Sequence, residues 1–342
     1  MPEGIREKSR SRKIAAYCVK LAIGVAIVAV LFAKLDMHKV AQAMLQLDAV
    51  SLFWVWFWTA LGLWLHSQML TSAFKPFGMV FRTVDVFKIG FEIRFYALFM
   101  PGASNLLIKW HKLAKPSGKP GQTLAVMAYT RIIHVFAMLV LSVLGMIMDS
   151  RFPWRSVRDI SLLFLVGICA CIFLASSRRF GSYLDALVEL ALGHFDKWAW
   201  FQEKCRKIWS FFTYFRNLTP RQIVILLVLT TVGQFFMTVG QQVISHAVGM
   251  EISVWTQLWI RGVVLISAIV PISFSGLGIR EVSIVKLMQF YGVPDEIALA
   301  WSLAFFGLTI GIGIVGGILE GYEHFFGGAQ TIVKTDIEEG KR

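Results

Sequence analysis

The stretch PISFSGLGIREVSIVKL, Pro271–Leu287, decides how the chain is read. It places an arginine and a glutamate, Arg280 and Glu281, directly after a proline and two glycines, with apolar sequence on both sides. The run before it, Val254–Val270, carries Arg261 and is short for a bilayer crossing, which takes about 20 apolar residues as a helix. It stops at Pro271. Proline removes a backbone donor and breaks a helix. Broken backbone at membrane depth is tolerated only where protein or a wet cavity surrounds it. The pattern predicts a helix–break–helix hairpin over residues 254–290 that enters and leaves by one face. A pair of full crossings is the alternative, and the short arms disfavour it.

The first half repeats the pattern. Asp85–Met100 carries Arg94, ends at Pro101 in PGASNLLIKWHKL, and restarts as a short amphipathic segment, giving a hairpin over 85–114. SNLLIKW (Ser104–Trp110) lies over SGLGIRE (Ser275–Glu281) at an offset of 171, half of the 342 residues. Each is followed by a proline, Pro120 or Pro294, and then a long apolar run. Internal duplication is the reading; chance similarity over so short a match is its competitor. If the halves are inverted repeats, a substrate site belongs between broken helices near the bilayer midplane.

Composition sets the class. The chain is 56% apolar and 16% charged, too little charge for a soluble surface. The expected fold is an all-α polytopic membrane protein. Its full-length candidate helices are Ile14–Leu35, Asp48–Phe74, Gln122–Met148, Ile160–Ser177, Gln222–Val248 and Pro294–Leu319. The domain plan is a basic tail over 1–13, a first membrane half over 14–177, a linker over 178–221, a second half over 222–326 and a tail over 327–342. Ile14–Leu35 is too long for a signal-peptide core and reads as a retained helix. Cys18, Cys169, Cys171 and Cys205 show no disulfide or metal spacing, and the seven histidines no metal motif. No Walker A sequence is present, and no metal or other cofactor is expected. The net charge of +13 is read as basic loops beside anionic lipid rather than as a nucleic-acid surface.

With both hairpins re-entrant, 23 of the 34 Lys and Arg residues fall on one side, six on the other and five within membrane segments. The excess of basic residues predicts both termini in the cytoplasm. Arg151, Arg155 and Arg158 weaken the bias locally. The linker Arg178–Arg221 is basic and aromatic and reads as amphipathic helices on the cytoplasmic leaflet, with docking of a lipid-biosynthesis enzyme as the other reading.

An ion deep in a bilayer costs several kcal/mol and is retained where it has a partner or a task. Neighbours on a helix diverge by about 100°, so Arg280 and Glu281 are each expected to meet something else. The segment SFSGLG, with Ser275, Gly276 and Gly278, frees backbone amides at a helix start, an anion site. Arg280 adds a fork-shaped donor suited to phosphate; packing against a carbonyl or an acid elsewhere is the structural alternative. The aromatic run Phe53–His66 reads as an interfacial belt. Thr309–Gly321 reads as close helix packing through small residues. Glu320 is expected to be solvated, and His66, His134 and His246 to make interhelical hydrogen bonds.

The stretch PISFSGLGIREVSIVKLMQFYGVPDEIALAWSL closely resembles the second-half signature of the lysylphosphatidylglycerol synthase transmembrane family, the flippase-like domain that forms the membrane part of bacterial multiple-peptide-resistance factors. The resemblance extends over roughly Lys13–Phe326. The first-half counterpart, Pro101–Lys109, departs from the family's pattern: it has Asn105, Leu106 and Lys109 where a glycine, an acid and an arginine are usual. Glu92 is a possible substitute for the missing acid. Arg131 falls where the family carries an arginine.

The resemblance implies a mover of charged lipids in the bacterial cytoplasmic membrane. The cytosolic aminoacyl-transfer domain of larger members is not expected, nor is synthase activity. The expected headgroup site comprises Arg280, Lys109 and Arg131 on phosphate, Glu281 and Glu92 as counter-ions, and Ser104, Asn105, Ser275, Gly276 and Gly278 at the hairpin breaks Pro101 and Pro271. Alternative readings are an enzyme acting on a lipid phosphate, and a scaffold for a biosynthetic enzyme.

Overall fold

The computed structural model describes residues 35–100, 104–176, 218–269 and 279–326, together with positions 183, 186, 188–190 and 202. The expected first helix, both proline breaks with Ser275, Gly276 and Gly278, nearly all of the linker and both tails lie outside the described residues. Ten helices carry the described fold: α1 Met37–Leu45, α2 Ala49–Phe74, α3 Thr83–Phe99, α4 Ser104–Ser117, α5 Pro120–Met148, α6 Arg155–Ser176, α7 Pro220–Ala247, α8 Val254–Ile269, α9 Ile279–Gln289 and α10 Asp295–Phe326. Among the described residues, four helices are long and apolar enough to cross a membrane: α2, α5, α7 and α10.

Local chemistry sets several helix starts. Asp36 and Asp48 accept from backbone amides of the first turns of α1 and α2. Thr219 and Gln222 close a reciprocal capping box at α7, with Pro220 at the first position. Glycine supplies the left-handed stop after α2 (Gly78, φ 66°) and after α7 (Gly249, φ 77°). Helix α1 is a nine-residue amphipathic segment that the hydropathy pattern did not indicate, because nine residues are too few to register as a span.

The offset of 171 recurs in the fold. Helices α2 and α7 start at residues 49 and 220, and α3 and α8 at residues 83 and 254. The packing is reciprocal as well: α2 lies on α7, while α3 packs on α10 and α8 on α5. Each first hairpin arm is therefore held by the long helix of the other half.

The two hairpins open to opposite ends of the bundle. At one end, Lys119 Nζ after α4 donates to the Phe77 carbonyl before α3 at 3.1 Å, and Thr123 Oγ1 reaches Met79 Sδ at 3.7 Å. So α3 begins and α4 ends together, beside the start of α5. At the other end of α5, the Asp149 carboxylate accepts from Thr256 of α8 (2.9 Å), from Trp259 (3.1 Å) and from Tyr291 just after α9 (2.7 Å).

An apolar core sits at each end. One joins Met69, Phe74, Phe81, Ile89, Leu113 and Leu226; the other joins Val40, Met250, Trp259, Ile284, Met288 and Trp301. Phe53, Trp54, Phe57 and Trp64 on α2 face outward, as an aromatic belt requires.

Candidate functional site: a basic chamber between the cores

Buried polar side chains collect between the two cores, around Arg261 of α8. Its Nη1 donates to the Gln234 carbonyl at 3.0 Å and to Thr238 Oγ1 at 2.6 Å, and its Nη2 donates to Gln234 Oε1 at 3.0 Å. These contacts hold the guanidinium against α7. Gln234 Nε2 in turn lies 3.4 Å from His134 Nδ1 of α5. The His134 ring meets His66 of α2 edge-on, with centroids 5.8 Å apart.

Four cations act electrostatically on His134: Arg94 of α3, Lys109 of α4, Arg131 of α5 and Arg261 of α8. Arg94 and Arg131 also repel Lys109. Arg94 satisfies one donor on its own helix, at the Gly90 carbonyl (2.8 Å). Among the described residues none of these four cations forms an ion pair with a carboxylate.

Beside this group lies a cavity of about 210 Å3. It is walled by elements of both halves and lined by His134, Gln234, Gln241, Arg261, Arg280 and Trp301, with aliphatic side chains between them. Gln241 Oε1 is buried there without a hydrogen-bond partner among the described residues. The Arg280 guanidinium rests 5.9 Å and 5.6 Å from the ring centres of Phe305 and Phe306, cation–π range.

Several expected contacts differ. Arg280 and Glu281 do meet: Arg280 Nε donates to Glu281 Oε1 at 3.0 Å, and Nη2 reaches the same oxygen. The long arginine stem spans the angular gap that Cβ directions alone would leave. Glu281 is buried at the start of α9.

Glu92 is not the counter-ion of Lys109 or Arg131. Its Oε2 accepts from Lys112 Nζ at 2.7 Å, because Lys112 stands one turn beyond Lys109 on the amphipathic α4. Glu320 is only partly exposed; it pairs with Lys112 and accepts from Tyr96 Oη at 2.9 Å. Arg131 lies on an exposed part of α5, and Lys109 is half-buried. Ser104 opens α4, and Asn105 is half-buried in its first turn. His246 bonds Gln242 of its own helix rather than a neighbouring one.

Sequence reading missed Lys112 as the partner of Glu92, although it falls inside the expected hairpin over 85–114, and the polar stripe Gln234–Thr238–Gln241 of α7. That stripe recurs at helical spacing inside an apolar run, which was the available signal.

An all-helical membrane protein with basic side chains gathered between its two apolar cores is the class that fold and site define. Within it, the chain belongs to the family described as the lysylphosphatidylglycerol synthase TM region, which matches residues 17–317. Comparison with curated proteins finds no match, and comparison with solved structures finds none.

Proposed function

We propose that the chain is a lipid translocator that carries net-anionic, phosphate-bearing headgroups between leaflets while their acyl chains stay in lipid. The observation that carries this reading is uncompensated charge: Arg94, Lys109, Arg131 and Arg261 gather around His134 without a carboxylate partner among the described residues. A basic side chain at the centre of a membrane costs about 2.5–3.5 kcal/mol on insertion scales, so such a group is retained where an anion visits. Arg261, held by Gln234 and Thr238, offers the planar fork that suits phosphate. Arg280 adds a second in the adjoining cavity.

In this reading both hairpins are re-entrant and the halves are inverted repeats. The repeated spacing of 171 residues, the exchanged packing of α3 and α8, and the opposite openings of the hairpins support it. Rocking of one half against the other would switch access to the chamber. The distribution of basic residues supports cytoplasmic termini in a bacterial cytoplasmic membrane. The family is named for the membrane region of a synthase; the reading here is transport, not synthesis.

The test is reconstitution of the full chain in vesicles containing NBD-labelled phosphatidylglycerol, with dithionite quenching reporting its leaflet. Arg261→Ala and Arg280→Ala are each expected to slow transfer roughly tenfold, equivalent to about 1.4 kcal/mol of lost headgroup binding. Transfer at the wild-type rate in both folded variants rejects the reading.

A further inference from the structure

The Glu92–Lys112–Glu320 cluster is not used by the headgroup chamber. It lies where α3, α4 and α10 meet. Glu92 is fully buried, at 0% side-chain exposure, while Lys112 and Glu320 are 21% and 26% exposed. Two carboxylates thus share one ammonium, leaving the group one negative charge in excess. Lys112 Nζ occupies Glu92 Oε2; Glu92 Oε1 is buried with no partner among the described residues. Tyr96 spends its hydroxyl on Glu320.

Among the described residues, the titratable neighbours of Glu92 come from helices packed on α3. Helix α4 contributes Lys112. Helix α10 contributes Glu320 and, one turn on, the exposed Glu323, both of which act on Glu92 electrostatically. The only titratable side chain of α2, His66, faces the Arg94–Lys109 group instead. Glu323, Glu320 and Glu92 therefore form a series of acids that runs from solvent to full burial.

A buried carboxylate oxygen with no donor is unfavourable. One proton added there removes the excess charge and turns the orphan acceptor into an O–H group. It also ends the ion pair that ties α4 to α3, while Lys112 keeps its pair with Glu320 on α10.

We propose that Glu92 is a proton-binding site, and that its protonation releases the α3–α4 hairpin from its closed packing and so couples translocation to a transmembrane pH difference. Binding of the proton stands on the cluster alone; the coupling rests on the translocator reading. In the step itself a proton from water forms an O–H bond on Glu92, and no other bond is made or broken.

Two measurements on the full chain test it. Infrared difference spectra, recorded while reconstituted protein is acidified, are expected to gain a protonated-carboxyl band that Glu92→Gln lacks. A wild-type spectrum without the band, or the same band in the variant, overturns the site. In vesicles with NBD-phosphatidylglycerol, one coupled proton can shift the leaflet distribution by at most about tenfold per unit of pH difference. The wild type is expected to show such a shift and Glu92→Gln none. A wild type that transfers the probe yet ignores the gradient, or a variant that still follows it, overturns the coupling. A wild type that transfers nothing fells the translocator reading and the coupling with it, while the carboxyl band still decides the proton site.

Discussion

Gly62 and Gly233 meet backbone to backbone: a Cβ on Gly62 would lie 2.7 Å from the Gly233 carbonyl oxygen, and a Cβ on Gly233 would lie 3.2 Å from that of Gly62. They stand 171 residues apart, the offset that relates the helix starts of the two halves. A close contact between equivalent positions of the two halves is what a local two-fold axis passing between them would produce. Small residues here let α2 and α7 approach closely, as membrane helices do without a hydrophobic force between them.

Gly62→Ala is expected to destabilise the protein by about 1–3 kcal/mol, the usual cost of overpacking, since the carbonyl of Gly233 cannot swing away. Gly233→Ala, whose nearest contacts are 3.2 and 3.3 Å, should cost less. Gly307→Ala meets nothing within 4 Å and should be neutral or stabilising. Thermal unfolding midpoints in one detergent rank the three; equal midpoints for Gly62→Ala and Gly307→Ala would contradict the contact.

Arg261→Lys distinguishes a charge requirement from a geometric one. An ammonium keeps the charge but cannot reproduce the three hydrogen bonds that the guanidinium makes to Gln234 and Thr238. Transfer of NBD-phosphatidylglycerol is expected to stay close to the Arg261→Ala level, roughly tenfold below wild type. Recovery to the wild-type rate would mean that positive charge alone is needed there.

The sequence made the four long apolar helices α2, α5, α7 and α10, the helices on either side of the two breaks and the half-chain offset legible, because apolar periodicity, two prolines and SNLLIKW over SGLGIRE carry them. Thr309–Gly321 was readable as a packing stripe, and Gly313, Gly316 and Gly317 do lie against α3. Pairings were harder to read. Which lysine of α4 meets Glu92 depends on a rotation of one helical turn, and Glu320 finds Lys112 and Tyr96 across 208 and 224 residues. Arg280–Glu281 was excluded on Cβ directions, which ignore the reach of the arginine stem. The side-chain donors of the Asp149 cluster carry no local signal, since all three lie more than 100 residues away.

Lys112→Met removes the cation that Glu92 faces and leaves a fully buried carboxylate without its counter-ion. Breaking a buried pair from one side costs about 3–5 kcal/mol, because the orphaned charge remains. Lys112→Met is therefore expected to lower the unfolding midpoint strongly. The double variant Lys112→Met with Glu92→Gln should recover most of the loss, since it buries no net charge on α3. Additive losses in this cycle would mean that the two side chains do not interact.

Asp149 ties the far end of α5 to the second hairpin, and its titration makes that tie depend on pH. Burial pushes its carboxyl up, but the hydroxyls of Tyr291 and Thr256 and the Trp259 indole, together with the Arg151 amide, outweigh this and hold it below the usual carboxylate range. A carboxyl whose folded value is depressed binds its proton more readily in the unfolded chain. Its contribution is therefore complete above the unfolded value, about 3.9, and is lost as pH falls through the folded one. Asp149→Asn keeps one acceptor oxygen but loses the charge, which should cost about 2 kcal/mol at neutral pH. The gap in unfolding midpoint between wild type and Asp149→Asn is then expected to be constant from about pH 7 to about pH 5 and to close below about pH 4. A gap that widens on acidification would mean that the carboxylate is not the charged acceptor at this junction. The tie between α5 and the second hairpin would then rest on the packing of α5 against α8, where Ser142 Oγ donates to the Trp259 carbonyl at 3.2 Å and Gly145 lies against Trp255 and Trp259.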